Sequence, residues 1–340
     1  MVANASATAN ANTAEYMVAA GVHIVPLMPS PDVIALAVEA ERLGYDYCMV
    51  ADEGVHPDIY ACLGAAARET ERIQLGVMTN GYTRHPAVTA AALATVNELS
   101  GGRVVATILA GGSMVLGPMA IERRKPFRVV ADTITVLDKL WSGETISWHG
   151  EHCSLNEAQL GMGAQDIPIW IAGRGPLVLG LAGEVADGVI CTVKPDVAAA
   201  RQLVERSAQR AGRPPPRPMY LGRICYTAEL LEGQRRTLSY VLMDSPRRVL
   251  KSLNLDEDSI AIVEHAARTN DPGRVDPLVT DELLRRYQIA GSPTECAAEV
   301  QRMATEHDLH AVLIDALSMN LDENLSVIGN SLPIIKGTLT

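Results

Sequence analysis

Histidine and carboxylate side chains accompany the first two apolar segments of the chain. His23 lies within the run GVHIVP, Asp52 ends the run YDYCMVAD, and Glu53 follows it. Imidazole titrates near neutral pH, so His23 is a candidate general acid or base, the alternative being a packed strand histidine with one hydrogen bond. Neighbouring carboxyl groups raise the pKa of one of them, so Asp52 and Glu53 are further candidates, with solvent exposure as the alternative for Glu53. His56, in the loop that follows, is assigned to substrate binding.

The loop TNGYTRHP (79–86) gathers polar groups directly after a third apolar run, IQLGVM. It carries hydroxyl, amide, guanidinium and imidazole groups in one short stretch. Because binding residues concentrate on loops held by a rigid scaffold, we interpret this loop as one wall of a ligand site. Tyr82 is assigned to substrate binding, with packing on the loop favoured over proton donation.

The segment AGRGP (172–176) is typical of a phosphate site. Gly173 and Gly175 let the backbone approach a ligand closely, and Pro176 suits the first position of a helix. Free N–H groups at such a helix start attract a phosphate, and Arg174 lies beside them in the chain. The alternative is a tight strand-to-helix turn that binds no ligand.

The stretch WHGEHC contains three possible zinc ligands, His149, His152 and Cys153. No second pair of ligands lies at zinc-finger spacing, and Gly150 suggests a turn between two short strands. We therefore predict no metal site. The chain also has no G-x-G-x-x-G after its first apolar run and no G-x-S-x-G, which argues against a Rossmann dinucleotide site and a serine hydrolase.

Short apolar runs alternate with helical stretches along the chain. The runs are apolar throughout, as in parallel strands that are buried on both faces. About eight such units predict a TIM barrel, whose active site lies at the carboxyl ends of the strands. The predicted strands are 21–26, 45–52, 73–80, 103–112, 167–173, 187–193, 219–228 and 310–317. The predicted helices include 30–44, 57–70, 86–102, 126–142, 175–186 and 197–212.

Two segments interrupt this alternation. Residues 143–166 predict a strand pair or an irregular excursion, and residues 229–290 predict a helical insert before the last strand–helix unit. Residues 1–20 lack the charged start and apolar core of a signal peptide, and we interpret them as a flexible tail. Residues 21–340 are predicted to form a single barrel domain that contains both insertions.

The charge and composition exclude several classes of function. The formal net charge is -11 and no stripe of Lys or Arg offsets it, which disfavours nucleic acid and anionic membranes as partners. No apolar run is long enough to span a membrane. The six cysteines are scattered without a C-x-x-C pair, as in proteins of a reducing, cytoplasmic setting. A small molecule is the expected partner.

Longer stretches of the sequence resemble a known enzyme family. LGVMTNGYTRHPAVTAAALATVNELSGGR is similar to segments of the luciferase-like flavin and deazaflavin oxidoreductases, above all the methylenetetrahydromethanopterin reductases that use coenzyme F420. The similarity continues in GVHIVP, AERLGYDYCMVAD, IPIWIAGRGPLVLGLAGEVADGVI and YQIAGSPTECAAEVQRM. It covers most of residues 21–317 and fails mainly around 229–275.

The resemblance implies a TIM barrel with a noncovalent cofactor across the strand ends, no metal ion, and a homodimer. The TN and RHP of residues 79–86 match the deazaflavin-binding loop of the family. A non-prolyl cis peptide, common in the family, would fall within residues 76–78. The cofactor phosphate would reach residues 173–176. The predicted cofactor-binding residues are Asp52, Gly76, Val77, Met78, Thr79, Asn80, Gly111, Gly112, Ala172, Gly173, Arg174, Gly175 and Pro176.

The chain departs from the reductases at three positions. They have a glutamate where this chain has His23, an aspartate where it has Ser113, and commonly a histidine where it has Glu53. Ser113 is therefore predicted to bind substrate together with His56 and Tyr82. Because the acids expected around a pterin are rearranged, the resemblance favours F420 as the cofactor and a substrate other than the pterin.

These observations predict an F420H2-dependent enzyme that transfers a hydride between C5 of the deazaflavin and an electron-poor C=C or C=N bond of a small metabolite. One alternative is an FMN-dependent monooxygenase of the same fold, because FMN also carries a phosphate suited to residues 172–176. The other alternative is a cofactor-free binding subunit of the same fold.

Overall fold

A closed barrel of parallel strands forms the centre of the fold in this computed structural model, which describes residues 18–339. The strands of these residues are β1 (Ala19–Ile24), β2 (Tyr47–Ala51), β3 (Gln74–Thr79), β4 (Val104–Leu109), β5 (Ile146–His149), β6 (Ser154–Ala158), β7 (Ile169–Ala172), β8 (Gly188–Cys191), β9 (Arg217–Gly222), β10 (Ile224–Cys225), β11 (Ile289–Ala290) and β12 (Ala311–Ala316). Eight of them form the barrel, in the order β1-β12-β9-β8-β7-β4-β3-β2. The predicted TIM barrel is confirmed.

Helices surround the barrel, and a group of further helices lies in an insertion between the last two barrel strands. They are α1 (Ser30–Leu43), α2 (Ile59–Glu69), α3 (Pro86–Ser100), α4 (Ser113–Leu116), α5 (Pro126–Trp141), α6 (Pro176–Val185), α7 (Val197–Arg210), α8 (Ala228–Glu232), α9 (Arg235–Met243), α10 (Arg247–Ser252), α11 (Glu257–Thr269), α12 (Asp281–Tyr287), α13 (Pro293–Glu306) and α14 (Leu321–Lys336). Local signals set their ends: α3 begins with Pro86, and Gly101 ends it with a φ of 70°.

Large side chains from several strands fill the inside of the barrel. Met49, Trp170 and Leu313 are almost completely buried there. They fit because neighbouring strands carry glycine: a Cβ at Gly76 would lie 2.0 Å from Sδ of Met49, and one at Gly21 would lie 2.0 Å from Cδ2 of Leu313. The interior is therefore packed, and ligands have access only at the strand ends.

Both predicted insertions have regular structure. Within 143–166, β5 and β6 form an antiparallel hairpin, as the sequence predicted. Within 229–290, helices α8 to α12 form their own hydrophobic cluster, with β10 and β11 as a short parallel pair beside them. The assignment of residues 21–340 to one domain stays a prediction.

The structure corrects three predicted details. β1 already includes Ala19 and Ala20, which were predicted to lie in the tail, and the rest of that prediction concerns residues 1–17, outside the described residues. The predicted strand 219–228 is split, because β9 ends at Gly222 and β10 pairs separately with β11. The cis peptide is also absent: residues 18–339 contain none, and β3 keeps an unbroken parallel register with both neighbours.

Arg103 is a buried arginine at the start of β4. Its guanidinium donates five hydrogen bonds of 2.7–3.0 Å, to the carbonyl groups of Ser100, Ile73, Ala67 and Thr70 and to the hydroxyl of Thr70. Only 8% of the residue is exposed. It therefore ties the ends of α2 and α3 to the strands that follow them.

Arg103→Met is expected to lower the free energy of unfolding by about 2–4 kcal/mol, because several buried carbonyl groups lose their donor. Urea unfolding followed by circular dichroism measures the change. Arg68→Met is the matched control, since Arg68 is exposed on α2, and it should change stability by less than about 0.5 kcal/mol. Equal effects of the two substitutions would contradict the proposed stabilising role.

Candidate active site

The carboxyl ends of β1 and β12 bring His23 and Asp315 together. The two residues are partners in the strand register, and Nδ1 of His23 lies 2.7 Å from Oδ1 of Asp315. An ionised carboxylate only accepts hydrogen bonds, so Nδ1 carries a proton in this arrangement. No hydrogen bond to Nε2 of His23 is found within residues 18–339. The pair is therefore an oriented acid–base group with one free nitrogen.

Glu53 lies half-buried just after β2, within electrostatic reach of the His23 imidazole. Burial is the largest influence on its carboxyl and raises the pKa above the usual 4.5. Charged His23 and His56 act in the opposite direction. Asp52 adds a smaller upward effect, so burial, rather than the predicted carboxylate pair, is the main cause of the shift. Glu53 thus keeps its proton to a higher pH than an exposed glutamate.

Asp52 connects the ends of β2 and β3. Its Oδ2 accepts hydrogen bonds from the hydroxyl groups of Thr79, at 2.7 Å, and Thr83, at 3.4 Å. Its Oδ1 accepts one of 3.3 Å from the N–H of Gly54. Both oxygens are engaged, so Asp52 holds the β3 loop in position, and its catalytic role stays a prediction.

Asn80 forms the turn after β3 and leaves one polar group unpaired. Its Oδ1 accepts hydrogen bonds from the N–H groups of Tyr82, at 2.8 Å, and Thr83, at 3.1 Å. Its Nδ2 has no partner in the described part of the chain, although the residue is only 1% exposed. Leaving a buried amide unpaired costs about 1–3 kcal/mol. A ligand with an acceptor at this point would remove that cost.

Other polar side chains of the loop 79–86 stabilise the loop itself. Nη2 of Arg84 donates to Oδ2 of Asp58 at 2.6 Å, and the guanidinium lies 4.4 Å from the centre of the Tyr60 ring. Nδ1 of His85 accepts a hydrogen bond from the first turn of α3 and caps that helix. The polar composition of the loop therefore has largely structural causes, with Nδ2 of Asn80 as the exception.

The predicted substrate-binding residues Tyr82 and His56 have different surroundings. Tyr82 is half-buried, and its hydroxyl donates to the carbonyl of Arg124 at 2.7 Å. Its ring packs against His152 of the β5–β6 hairpin, with ring centres 6.0 Å apart. His56 is exposed in the loop between β2 and α2. Contact of either residue with substrate stays a prediction.

The predicted cofactor residues 76–78 lie within β3 rather than at its end. Gly76 faces the barrel interior, where the side chain of Met49 covers it. Val77 packs in the layer between strands and helices, and Met78 packs inside the barrel. Only residues from Thr79 onward reach the mouth.

The predicted phosphate site at 172–176 has an open helix start, but its arginine points elsewhere. Gly175 is the N-cap of α6, no side chain caps this helix, and a Cβ at Gly175 would have no atom within 4 Å. Nη1 of Arg174 donates to the carbonyl of Val241, at 2.9 Å, and to the hydroxyl of Ser245, at 3.1 Å. The 229–290 insert supplies both acceptors, so Arg174 anchors the insert instead of lying free beside the helix start.

Ser113 is held by the same insert. Its N–H and its hydroxyl both donate to Oδ2 of Asp244, each at 3.1 Å. Gly112 is the N-cap of α4, and Gly111 has a φ of 69°. A Cβ at Gly111 would lie 2.9 Å from Leu116, so the end of β4 is a close-packed turn.

Arg248 completes the attachment of the insert to the mouth. Its Nη1 lies 2.5 Å from Oδ1 of the buried Asp196, and its Nη2 donates to the carbonyl of Arg174 at 2.8 Å. Arg248, Asp196, Asp244 and the pairing of Asp315 were not predicted from the sequence. Their residue types are ordinary, and only the three-dimensional arrangement brings them to the mouth.

Two cavities lie away from the mouth. One, of about 450 Å³, lies on the outer surface and includes Glu299, which forms ion pairs with Lys194 and Arg302. The other, of about 400 Å³, adjoins the start of β2.

No group of three possible metal ligands is found in residues 18–339. Within the same range, no helix is long and apolar enough to cross a membrane.

A (β/α)8 barrel with titratable groups and an unpaired donor at the carboxyl ends of its strands has the organisation of an enzyme active site. The sequence model of the luciferase-like monooxygenases matches residues 6–307. The chain therefore belongs to the luciferase-like monooxygenase family, and the predicted resemblance is confirmed.

Individual relatives match most of the chain. 5,10-Methylenetetrahydromethanopterin reductase of Methanolobus tindarius is 27% identical over 321 residues, covering 92% of this chain and 98% of the relative. F420-dependent glucose-6-phosphate dehydrogenase of Amycolatopsis mediterranei is 27% identical over 297 residues, covering 79% of this chain and 84% of the relative. The solved coenzyme F420 dependent tetrahydromethanopterin reductase of Methanopyrus kandleri has a TM-score of 0.77 at 22% identity, over 92% of this chain and 97% of that one.

Proposed function

We propose that this protein is an F420-dependent oxidoreductase that transfers a hydride between C5 of the deazaflavin and an electron-poor C=C or C=N bond of a small metabolite. The oriented His23–Asp315 pair carries the proposal, because hydride reduction of such a bond also requires one proton. The choice of F420 is supported by the glucose-6-phosphate dehydrogenase relative, which is named as F420-dependent and matches most of the chain.

The residues at the mouth fit a bound deazaflavin. The unpaired Nδ2 of Asn80 offers a hydrogen bond to the polar edge of the ring. The uncapped start of α6 at Gly175 offers backbone N–H groups to the phosphate. When bound, the deazaflavin supplies or accepts the hydride at C5.

His23 exchanges the proton that accompanies the hydride. The imidazolium donates it from Nε2 to the substrate atom next to the reacting carbon, and the neutral ring takes it back in the opposite direction. Asp315 holds the ring through Nδ1 and stabilises the imidazolium. Glu53, near His23, keeps its proton to a higher pH than an exposed glutamate, because burial raises the pKa of its carboxyl. Asp52 keeps Thr79 in place at the end of β3.

The insert 229–290 would form part of the substrate pocket. Asp244, Arg174 and Arg248 attach it to the ends of β4, β7 and β8. These contacts hold the insert beside the mouth, where a bound substrate would contact it.

We also propose that the protein is a cytoplasmic homodimer. Val88 and Leu99 on α3 are 52% and 39% exposed, and apolar side chains on one helix face favour self-association. All six cysteines are free thiols, in keeping with a reducing compartment. Light scattering at micromolar concentration would show twice the chain mass if the dimer forms.

Titration of the apo-protein with F420 and, separately, with FMN tests the proposed cofactor. We expect saturable binding of F420, followed by a change in its fluorescence, and at least about tenfold weaker binding of FMN. Tight binding of FMN alone would favour the monooxygenase alternative, which the family match also suggests. Binding of neither cofactor would favour the cofactor-free binding subunit.

A further inference from the structure

The tip of the β5–β6 hairpin contacts the loop after β3 through His152. Nε2 of His152 lies 2.7 Å from the carbonyl oxygen of Gly81. A carbonyl only accepts hydrogen bonds, so the donor is the Nε2–H of the histidine. The His152 ring also packs against Tyr82. A segment outside the barrel repeat therefore holds the Gly81–Tyr82 peptide, one residue after Asn80.

Helix α5 supports both sides of this contact. The N–H of His152 donates to Oδ2 of Asp132 at 2.6 Å, and Asp132 is only 7% exposed. A Cβ at Gly150 would lie 2.4 Å from the same oxygen, so glycine allows the hairpin to approach. A Cβ at Gly81 would lie 2.2 Å from Oγ1 of Thr133, so the loop rests directly on α5 as well. The hairpin tip and the loop therefore share one rigid support.

We propose that His152 is a positioning residue for the cofactor. Its hydrogen bond fixes the orientation of the Gly81–Tyr82 peptide. The N–H of that peptide donates to Oδ1 of Asn80 at 2.8 Å, which orients the side-chain amide and its unpaired Nδ2. The inference rests on the proposed function, because it assigns Asn80 to the cofactor. The β5–β6 hairpin would thus help to position Asn80. This role for His152 differs from the metal-ligand role that was considered for WHGEHC.

His152→Phe tests the inference, because phenylalanine keeps a ring beside Tyr82 and removes the donor to Gly81. The dissociation constant for F420 is expected to rise about tenfold, while kcat at saturating cofactor stays within about threefold of the wild type. His152→Gln is expected to restore binding to within about threefold, because the Gln amide reaches the position of the imidazole Nε2. Fluorescence titration and steady-state turnover measure both quantities.

His149→Ala is the matched control, since His149 is exposed on the same hairpin, and it should bind F420 like the wild type. Wild-type affinity in His152→Phe, or equally weak binding in His152→Gln, would overturn the positioning role. If His152→Phe does not fold, His152→Asn gives the same comparison, because its shorter amide does not reach Gly81.

Hydrogen exchange of the apo-protein provides a readout without cofactor or turnover. Backbone amides of the loop 79–86 are expected to exchange faster in His152→Phe than in the wild type or in His152→Gln. Unchanged exchange would contradict the inference whichever cofactor the protein binds. Failure of the wild type itself to bind F420 would instead count against the proposed function, so the two failures are distinguishable.

Discussion

His23→Ala is expected to lower kcat by about 10²–10⁴-fold and to change the dissociation constant for F420 by less than about threefold. The His23 side chain is 11% exposed, is oriented by Asp315 and has a free Nε2, so its removal deletes the proton donor but no proposed cofactor contact. Steady-state turnover and fluorescence titration of the same preparation separate the two quantities.

Two further variants test whether His23 and Asp315 act together. Asp315→Asn keeps the size of the side chain but removes the charge that stabilises the imidazolium, so kcat should fall by a smaller factor, about 10–10²-fold. The double variant should be no slower than His23→Ala, because residues that act as one unit are not additive. His265→Ala, an exposed histidine on α11, should leave turnover unchanged. Wild-type turnover in His23→Ala would remove this residue from the mechanism and leave it as a packed strand histidine.

The barrel was predictable because its signals are local. Pro86 at the start of α3 and Gly101 after its end mark that helix without any knowledge of tertiary contacts. Apolar runs such as β3 and β4 indicate strands buried on both faces, and their repetition indicates a closed ring. The predicted boundaries of these elements differ from the structure by only a few residues.

The partners within the site were not predictable in the same way. His23 and Asp315 are 292 residues apart, and the sequence showed only that they lie in the first and last predicted strands. Their contact depends on the closure of the barrel, which pairs the first strand with the last. The predicted carboxylate pair explains little of the pKa shift of Glu53. Burial is the main cause of that shift, and Asp52 accepts a hydrogen bond from Thr79.

Loops and insertions account for the other differences. Arg174 was assigned to a phosphate because glycines and a helix start surround it, but its guanidinium donates to the carbonyl of Val241 on α9. Ser113 was assigned to substrate, and Asp244 of the insert engages its hydroxyl. Nothing in the sequence near Arg174 or Ser113 indicates where residues 229–290 lie, since that placement depends on packing between distant segments.

The second large effect is expected at Glu53. Glu53→Gln should lower kcat by about 10²-fold and, at neutral pH, raise the free energy of unfolding. Burial raises the pKa of the Glu53 carboxyl, so the folded protein binds this proton more tightly than the unfolded chain does. Such a group stabilises the fold below its unfolded pKa, near 4.5, and this contribution is lost as pH rises through the folded pKa. Glutamine is neutral throughout and avoids that loss.

Urea unfolding at about pH 4 and about pH 8, measured beside turnover, separates the effect of Glu53 on stability from its effect on kcat. The Glu53→Gln variant should match the wild type at the lower pH and exceed its stability at the higher pH, while remaining less active. Glu69→Gln, an exposed glutamate on α2, should show neither change. A Glu53→Gln protein less stable than the wild type at about pH 8 would show that the ionised carboxylate has a stabilising partner. Higher stability with lower activity would instead mean that Glu53 is kept for proton transfer at a cost to the fold.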